Sequence, residues 1–230
     1  MLRLFYICVL VVCVLPMIPG VAGVLLSAFG YIPPIGLTQL SLTGFYNVFD
    51  WNGVWLSIGL TLFTSLFSSY LACFITFAVL QRCWQRQGWK RIEWLLSPLL
   101  AMPHVAFAIG FAFLFSPTGM GARMLSAAFG NDWLTHGSEL SWLVKDPYGL
   151  GLALALAVKE VPFLLLMSIP ILSQLKIDQI TKVSASLGYS PQQMWWKCIF
   201  PQWFSKMRFP MLAVIAYSLS VVDVALIIGP

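Results

Sequence analysis

Two long apolar stretches near the end of this chain flank a polar segment, Ser173 to Arg208, whose middle reads KVSASLGYSPQQMWWKCIFP from Lys182 to Pro201. In a chain that is otherwise almost entirely apolar, this segment carries start and stop signals for helices of its own. Gly188 supplies the permissive backbone at which a first short helix can end and a second can begin. The segment therefore predicts two short helices with a glycine corner, held at both ends by membrane helices.

The start and stop signals of the two short helices can be read residue by residue. Asp178 can cap the first helix. Its apolar positions follow a three-and-four spacing: Ile180, Val183 and Leu187. Ser190 can cap the second helix, with Pro191 at its first position and Gln193 closing a capping box. The Phe200-Pro201 pair is expected to restrict the continuation of that helix.

The composition of the whole chain is that of a membrane protein. Hydrophobic residues make up 60% and charged residues 9% of the 230 residues, and the mean hydropathy is +0.87. A helix needs roughly 20 apolar residues to cross a bilayer, and helices are expected because lipid cannot satisfy free backbone groups. We therefore predict an all-α, polytopic bundle with five spans: Leu4–Phe29, Gly53–Leu80, Trp94–Phe115, Tyr148–Leu172 and Phe209–Gly229.

Basic residues predict the orientation of these spans. They concentrate in the loop after the second span and in the polar segment: Arg82, Arg86, Lys90, Arg91, Lys176, Lys182, Lys197, Lys206 and Arg208. The loop at 116–147 holds only Arg123 and Lys145. Since basic loops stay in the cytoplasm, both basic loops and the amino terminus are predicted to be cytoplasmic. The net charge of +5 then needs no nucleic acid to explain it.

The polar segment resembles the cytoplasmic loop of binding-protein-dependent ABC importer permeases. The family pattern is Glu-Ala-Ala, three residues, Gly, nine residues, Ile, any residue, Leu-Pro. Gly188 matches the glycine and Pro201 the proline. Four other pattern positions differ in this chain: Lys182 replaces the acid, Val183-Ser184 the two alanines, Cys198 the Ile and Phe200 the Leu.

Related patterns extend from about Trp55 to Asp223 and resemble the branch that carries iron(III), thiamine, sulfate or polyamines. The resemblance implies a type I importer of the bacterial inner membrane that contacts two ATPase subunits, a periplasmic solute-binding protein and a second permease half or subunit. It implies that the ATPase grips these loop residues: Lys182, Val183, Ser184, Leu187, Gly188, Pro191 and Pro201. The alternative is an ordinary re-entrant or amphipathic loop.

Several chemistries have no support in the sequence. The chain has no Gly-x-x-x-x-Gly-Lys-Ser/Thr phosphate loop, so ATP hydrolysis is expected in a separate subunit. No catalytic Ser/His/Asp set, metal-ligand spacing or other cofactor motif is apparent, and we predict no enzyme activity, metal or cofactor. Nucleic-acid binding is not expected either.

Buried charges are the second group of candidate functional residues. Lys159 and Glu160 lie near the middle of the fourth span, where a charge is costly and usually faces the bundle interior or water. As helix neighbours they point roughly 100° apart, so each needs its own partner. Lys159 could reach Asp223 in the fifth span, and His104 is expected to pack against a neighbouring helix. A structural ion pair and a lining of the substrate path both remain open for these residues.

We divide the chain into an amino-terminal helix with a periplasmic loop, 1–52, and a permease core, 53–230, that contains the coupling loop 173–208. The fifth span ends at Gly229-Pro230 without flanking charges, so we expect a truncated chain or the first half of a fused permease. Two other functions stay open: a membrane subunit for assembly or signalling, and a secondary transporter coupled to ions through Glu160 and Asp223.

Overall fold

The all-α architecture is confirmed by a computed structural model, which describes residues 2–85, 88–129 and 143–230. Four helical stretches in the described part are long and apolar enough to cross a bilayer: Tyr6–Ala28, Val54–Cys83, His104–Ala128 and Leu150–Gln174. The chain forms two compact units, Met1–Ile58 and Gly59–Pro230. The functional division into 1–52 and 53–230 stays a prediction.

The first unit contains the predicted first span in two pieces, α1 (Leu2–Val14) and α2 (Met17–Ala28). Pro16 lies between them and has no N–H for the helical ladder, which explains the interruption. A 3₁₀ turn and an amphipathic helix follow, Pro33–Ile35 and α3 (Thr43–Asp50). None of the α2 side chains is buried, as expected for a helix that is apolar on all sides and faces lipid.

Helix α4 (Val54–Cys83) forms the second crossing, and the boundary between the two units falls within it. In the second unit, small side chains line the inner face of α4 and are fully or almost fully buried: Thr64, Ser65, Ser68, Ser69, Ala72 and Thr76. Small residues allow close helix approach. Thr64 is an example, because its Cγ2 lies 2.6 Å from where a Cβ on Gly149 would be.

The predicted third span, Trp94–Phe115, is broken in the structure. Helix α5 (Trp89–Ala101) ends before Met102-Pro103, and α6 (His104–Phe115) begins immediately after it. The residue before a proline is disfavoured in the helical region, and Met102 is extended at ψ 123°. The candidate crossing therefore begins at His104 and reaches Ala128, through a short turn and α7 (Met120–Phe129). Residues 130–142 of the predicted outer loop lie outside the described residues.

The fourth span is one long helix, α8 (Leu150–Gln174), which continues through Pro162 and Pro170. Its amino terminus is capped by Asp146, whose Oδ2 and Oδ1 accept from the Leu150 and Gly151 amides at 2.6 and 3.0 Å. Such a carboxylate compensates both the free N–H groups and the positive end of the helix dipole.

The predicted fifth span, Phe209–Gly229, does not form one helix. Instead, α12 (Arg208–Ser220) ends at extended Val221, and α13 (Asp223–Ile228) starts with an acidic residue in its first turn. This acid favours a helix start at that point because it meets the positive end of the dipole. Neither piece is long enough to cross a bilayer alone. Helix α13 packs on α6 and α8.

The polar segment contains three short helices between α8 and α12. They are α9 (Ile177–Ser186), α10 (Pro191–Met194) and α11 (Phe200–Lys206), and a π turn at Trp195–Ile199 joins the last two. The main core of the second unit is built from α4, α8 and this segment. Its fully buried large side chains include Phe77, Leu164, Ile199 and Trp203.

Candidate functional site

The glycine corner of the polar segment is confirmed. Gly188 has a left-handed backbone with φ +77°. The Gly188 amide donates to the Ala185 carbonyl and the Tyr189 amide to the Ser184 carbonyl, both at 3.0 Å. This pair of bonds is the Schellman motif that ends many helices at glycine. The next helix starts with the predicted capping box, in which Ser190 and Gln193 each accept from the other's amide, at 3.3 and 3.0 Å.

The start of α9 differs from the prediction. Asp178 is not its cap: Lys176 holds the cap position, with a left-handed φ of 45°, and Asp178 lies within the first turn. The aspartate still favours the helix there through the dipole. Ser173 and the residues that follow do not supply a cap, because Lys176 turns the chain by its backbone conformation.

The apolar positions of α9 do not share one environment. Ile180 packs against the core, and Ser184 is almost completely buried. Val183 and Leu187, in contrast, are 60% and 68% exposed. They lie four residues apart and therefore neighbour each other on the outer face of the helix. The helix thus turns one apolar pair away from the core.

The second half of the segment stays helical through Phe200-Pro201, against expectation. The π turn explains this, because the Phe200 amide donates to the Trp195 carbonyl, five residues back. Pro201 then stands in the first turn of α11, where a missing N–H is tolerated. The Gln202 side chain donates to the Cys198 carbonyl at 2.7 Å. The wider turn therefore makes room for the proline.

An aromatic cluster fixes this half of the segment on α4. Phe77 is fully buried at its centre. Its ring centroid lies 5.8 Å from Trp195, 4.9 Å from Trp196, 4.9 Å from Phe200 and 5.3 Å from Trp203. Each aromatic pair contributes about 0.5–1.5 kcal/mol beyond its buried area. Movement of the segment therefore has to move α4 as well.

A buried hydrogen bond fixes the same half on α8. Trp203 Nε1 donates to Ser168 Oγ at 2.9 Å, and Ser168 Oγ donates to the Leu164 carbonyl at 2.6 Å. Both Trp203 and Ser168 are completely buried. Because no water reaches this pair, loss of either partner leaves a buried polar group unsatisfied. The segment is thus joined to α8 at two places, through the chain at Gln174 and through this bond.

The buried charges each find a separate partner, as their directions on the helix require. Lys159 Nζ donates to the Leu99 carbonyl at 2.7 Å, and Glu160 Oε1 lies 3.5 Å from His104 Nε2. Both charged residues are less than one-tenth exposed. The His104 ring also lies 4.5 Å from the Tyr217 ring. The packing predicted for His104 is therefore present.

These side chains line a cavity of about 260 Å³ in the second unit. Its walls come from α5, α6, α8 and α12, and they combine three ionisable groups with apolar neighbours: Leu100, His104, Lys159, Glu160, Phe163, Ala213, Val214 and Tyr217. The cavity is large enough for a few water molecules or a small polar group. It is the place where charged chemistry and open space coincide in the described part of the chain.

The suggested pairing of Lys159 with Asp223 is wrong in this structure. Both residues are described, and no ion pair joins them. Asp223 is exposed at the start of α13, while Lys159 uses a backbone carbonyl instead. The reason is geometric, since the break between α12 and α13 places Asp223 at a helix start and not inside a continuous fifth span.

Three important contacts were not found from the sequence. They are the carbonyl of Leu99 as the partner of Lys159, the Asp146 cap of α8, and the Phe77 and Trp203 anchors of the polar segment. The Asp146 cap could have been suspected, because an acid four residues before an apolar run is a helix-start signal. The other two depend on which helices pack together.

Comparison with known proteins agrees with the resemblance of the polar segment. A stretch of 174 residues, 74% of the chain, is 36% identical to the inner membrane ABC transporter permease protein YnjC of Escherichia coli (strain K12). This stretch covers 31% of that protein, so the chain spans about a third of the length of the curated relative it matches. No family model matches the chain. With its four long apolar helices, the chain is therefore a multi-pass inner-membrane protein that is related to the permeases of ABC transporters.

Proposed function

We propose that this chain is a permease subunit, or half of one, of an ATP-driven importer of the type I class. The observation that carries the proposal is the form of the polar segment. Its outer face exposes Val183 and Leu187 beside the Gly188 corner, and its inner face is fixed on α4 and α8. The similarity to an ABC transporter permease over 74% of the chain supports the same assignment.

The partner of this outer face is proposed to be an ATPase subunit. Two such subunits per transporter would hydrolyse ATP, because this chain lacks a phosphate loop. Burial of one exposed aliphatic side chain contributes about 1.5–3 kcal/mol to an interface. The neighbouring pair Val183 and Leu187 is thus a suitable centre for docking, and Lys182 and Pro191 are exposed at its edge.

Force from the ATPase would reach the membrane helices through the contacts of the segment. The Trp203–Ser168 bond leads to α8, and the aromatic cluster around Phe77 leads to α4. Ser184 on the inner face of α9 and Pro201 after the π turn are proposed to keep the helices of the segment in their relative positions. An element mounted this firmly moves as one body with its supports.

The remaining parts of the transporter follow from the same proposal. A second permease half or subunit would complete the path across the membrane, and a periplasmic solute-binding protein would deliver the solute. The sequence patterns favour the iron(III), thiamine, sulfate or polyamine branch. His104, Lys159 and Glu160 line the charged cavity, and Asp223 lies at the start of α13. Their contact with the solute is part of this proposal.

The experiment co-expresses the chain with the ATPase and the solute-binding protein encoded beside it, and measures ATPase co-purification and solute uptake. Leu187→Glu places a charge on the outer face of α9 without disturbing the core, since the side chain is 68% exposed. We expect co-purification to fall at least about tenfold, as for an interface centre worth 2 kcal/mol or more.

The matched control is Leu37→Glu, which adds the same charge to another exposed leucine, in the loop predicted to lie outside the cytoplasm. It should leave ATPase binding unchanged. If Leu187→Glu keeps wild-type ATPase binding and ATP-dependent uptake, the docking assignment is wrong. Absence of ATPase and binding-protein genes near this gene would instead favour an assembly or signalling role.

A further inference from the structure

The break between α5 and α6 leaves one backbone acceptor without its helical partner. In a continuous helix the Leu99 carbonyl would accept from the amide of residue 103. That residue is Pro103, which has no N–H. The Met102 amide, the next candidate along the chain, donates to the Pro98 carbonyl at 3.2 Å. The carboxyl end of α5 therefore needs a donor from another element.

Lys159 on α8 is that donor. Its ammonium lies 2.7 Å from the Leu99 oxygen, and the residue is only 6% exposed. A cation at the carboxyl end of a helix also meets the negative end of the helix dipole. One side chain of α8 thus satisfies the free carbonyl and stabilises the end of α5.

Glu160 acts on the other side of the same break. Its Oε1 lies 3.5 Å from Nε2 of His104, the first residue of α6. Because Lys159 and Glu160 are adjacent on a helix, they point roughly 100° apart and reach different elements. The charges are also arranged by sign, with the cation at the end of α5 and the carboxylate at the start of α6, as the helix dipoles favour.

We infer that Lys159 and Glu160 form a clamp that holds the two ends of the α5–α6 break on α8, and that they position these helices for transport without contacting the solute. The inference rests on the proposed function, in which α8 is the helix that receives force from the polar segment. Both Trp203 contacts and the clamp lie on α8. A displacement of α8 would thus be passed to α5 and α6 together.

The test is a double-mutant cycle between Lys159 and Pro103 in the assembled transporter. Lys159→Met removes the donor, and we expect a lower midpoint of thermal unfolding and an uptake per ATP hydrolysed that falls about tenfold, since a buried hydrogen bond to a charged group is lost. Pro103→Ala restores a backbone N–H that can pair with the Leu99 carbonyl. In that background, Lys159→Met should cost clearly less in both measurements.

Other variants separate the clamp from its alternatives. Lys159→Arg keeps a cation and donor and should retain most of the stability. Lys145→Met is the matched control, because Lys145 Nζ also donates to a carbonyl, that of Leu226 at 2.8 Å, but is exposed. It should have little effect. An equal loss from Lys159→Met in both backgrounds would overturn the clamp and indicate direct contact with the solute.

If Pro103→Ala prevents assembly, the second pair decides the question. Glu160→Ala should lower the unfolding midpoint less in a His104→Ala background than in the wild type, and additive losses would overturn the clamp. Failure of the proposed function can be distinguished from failure of the clamp. In that case the wild-type protein shows no ATP-dependent uptake, whereas the thermal measurements on both cycles still test the clamp.

Discussion

The Gly188 corner allows backbone strain and partner binding to be separated by substitution. Its φ of +77° is unfavourable for residues with a side chain, but no atom lies within 4 Å of the position a Cβ would take. Substitution therefore costs only the left-handed backbone, about 1–2 kcal/mol for alanine. Asparagine and aspartate adopt this conformation more readily than other residues, so their cost is smaller. All these values are below the 5–15 kcal/mol typical of a folded domain.

This magnitude predicts how three variants should behave. Gly188→Ala, Gly188→Asn and Gly188→Asp should all insert and fold, because the strain is local and the corner is exposed. Gly188→Asn should keep most of the ATPase binding. Gly188→Asp has nearly the same shape but adds a charge next to the exposed Leu187, and it should lose the ATPase and solute uptake.

The assay is co-purification of the ATPase, quantified beside an immunoblot of the membrane fraction. Normal abundance with lost ATPase in Gly188→Asp alone supports docking at the corner. Equal loss in the asparagine and aspartate variants would mean that any side chain is excluded by the partner, and the charge argument would be wrong. Full ATPase retention in a stably inserted Gly188→Asp protein would refute the coupling assignment itself.

Three further predictions concern topology and packing. A reporter fused after Trp89 should be active only in its cytoplasmic form and one near Asn131 only in its periplasmic form; the reverse pattern would contradict the predicted orientation. Trp203→Phe should destabilise the protein by about 1–3 kcal/mol, since the bond to Ser168 is buried, and thermal unfolding in detergent should show this loss; an unchanged midpoint would mean that the bond contributes nothing. Gly151→Ala should impair folding strongly, because its Cβ would collide with a backbone carbonyl, and a normal yield of inserted protein would show that the backbone can adapt.

Local features of the polar segment could be predicted from the sequence. The Ser190–Gln193 capping box and the left-handed Gly188 depend on residues within one or two turns of each other. Hydropathy also located the crossings at Val54–Cys83 and Leu150–Gln174 to within a few residues. Both kinds of signal are short-range, which is why they survive without knowledge of the tertiary structure.

Contacts between helices could not be predicted in the same way. Hydropathy indicated that Lys159 is deep in the membrane and needs a partner, and it pointed to Asp223 because that residue is charged. The actual partner is a backbone carbonyl at Leu99, which has no residue type of its own. Its only trace in the sequence is Pro103, four residues later. The division of the fifth span escaped prediction because a helix end at Val221 leaves the apolar composition unchanged.

The π turn at Trp195–Ile199 makes the polar segment sensitive to the number of its residues. A π turn contains one residue more than an α turn, so deletion of an exposed residue such as Lys197 would convert it to ordinary helix and rotate everything after it by about 100°. Trp203 would then point away from Ser168, although every side chain of the anchor was still present. The interval from Gly188 to Pro201 is thus a setting of helical phase, and an insertion or deletion within it should do more harm than most substitutions.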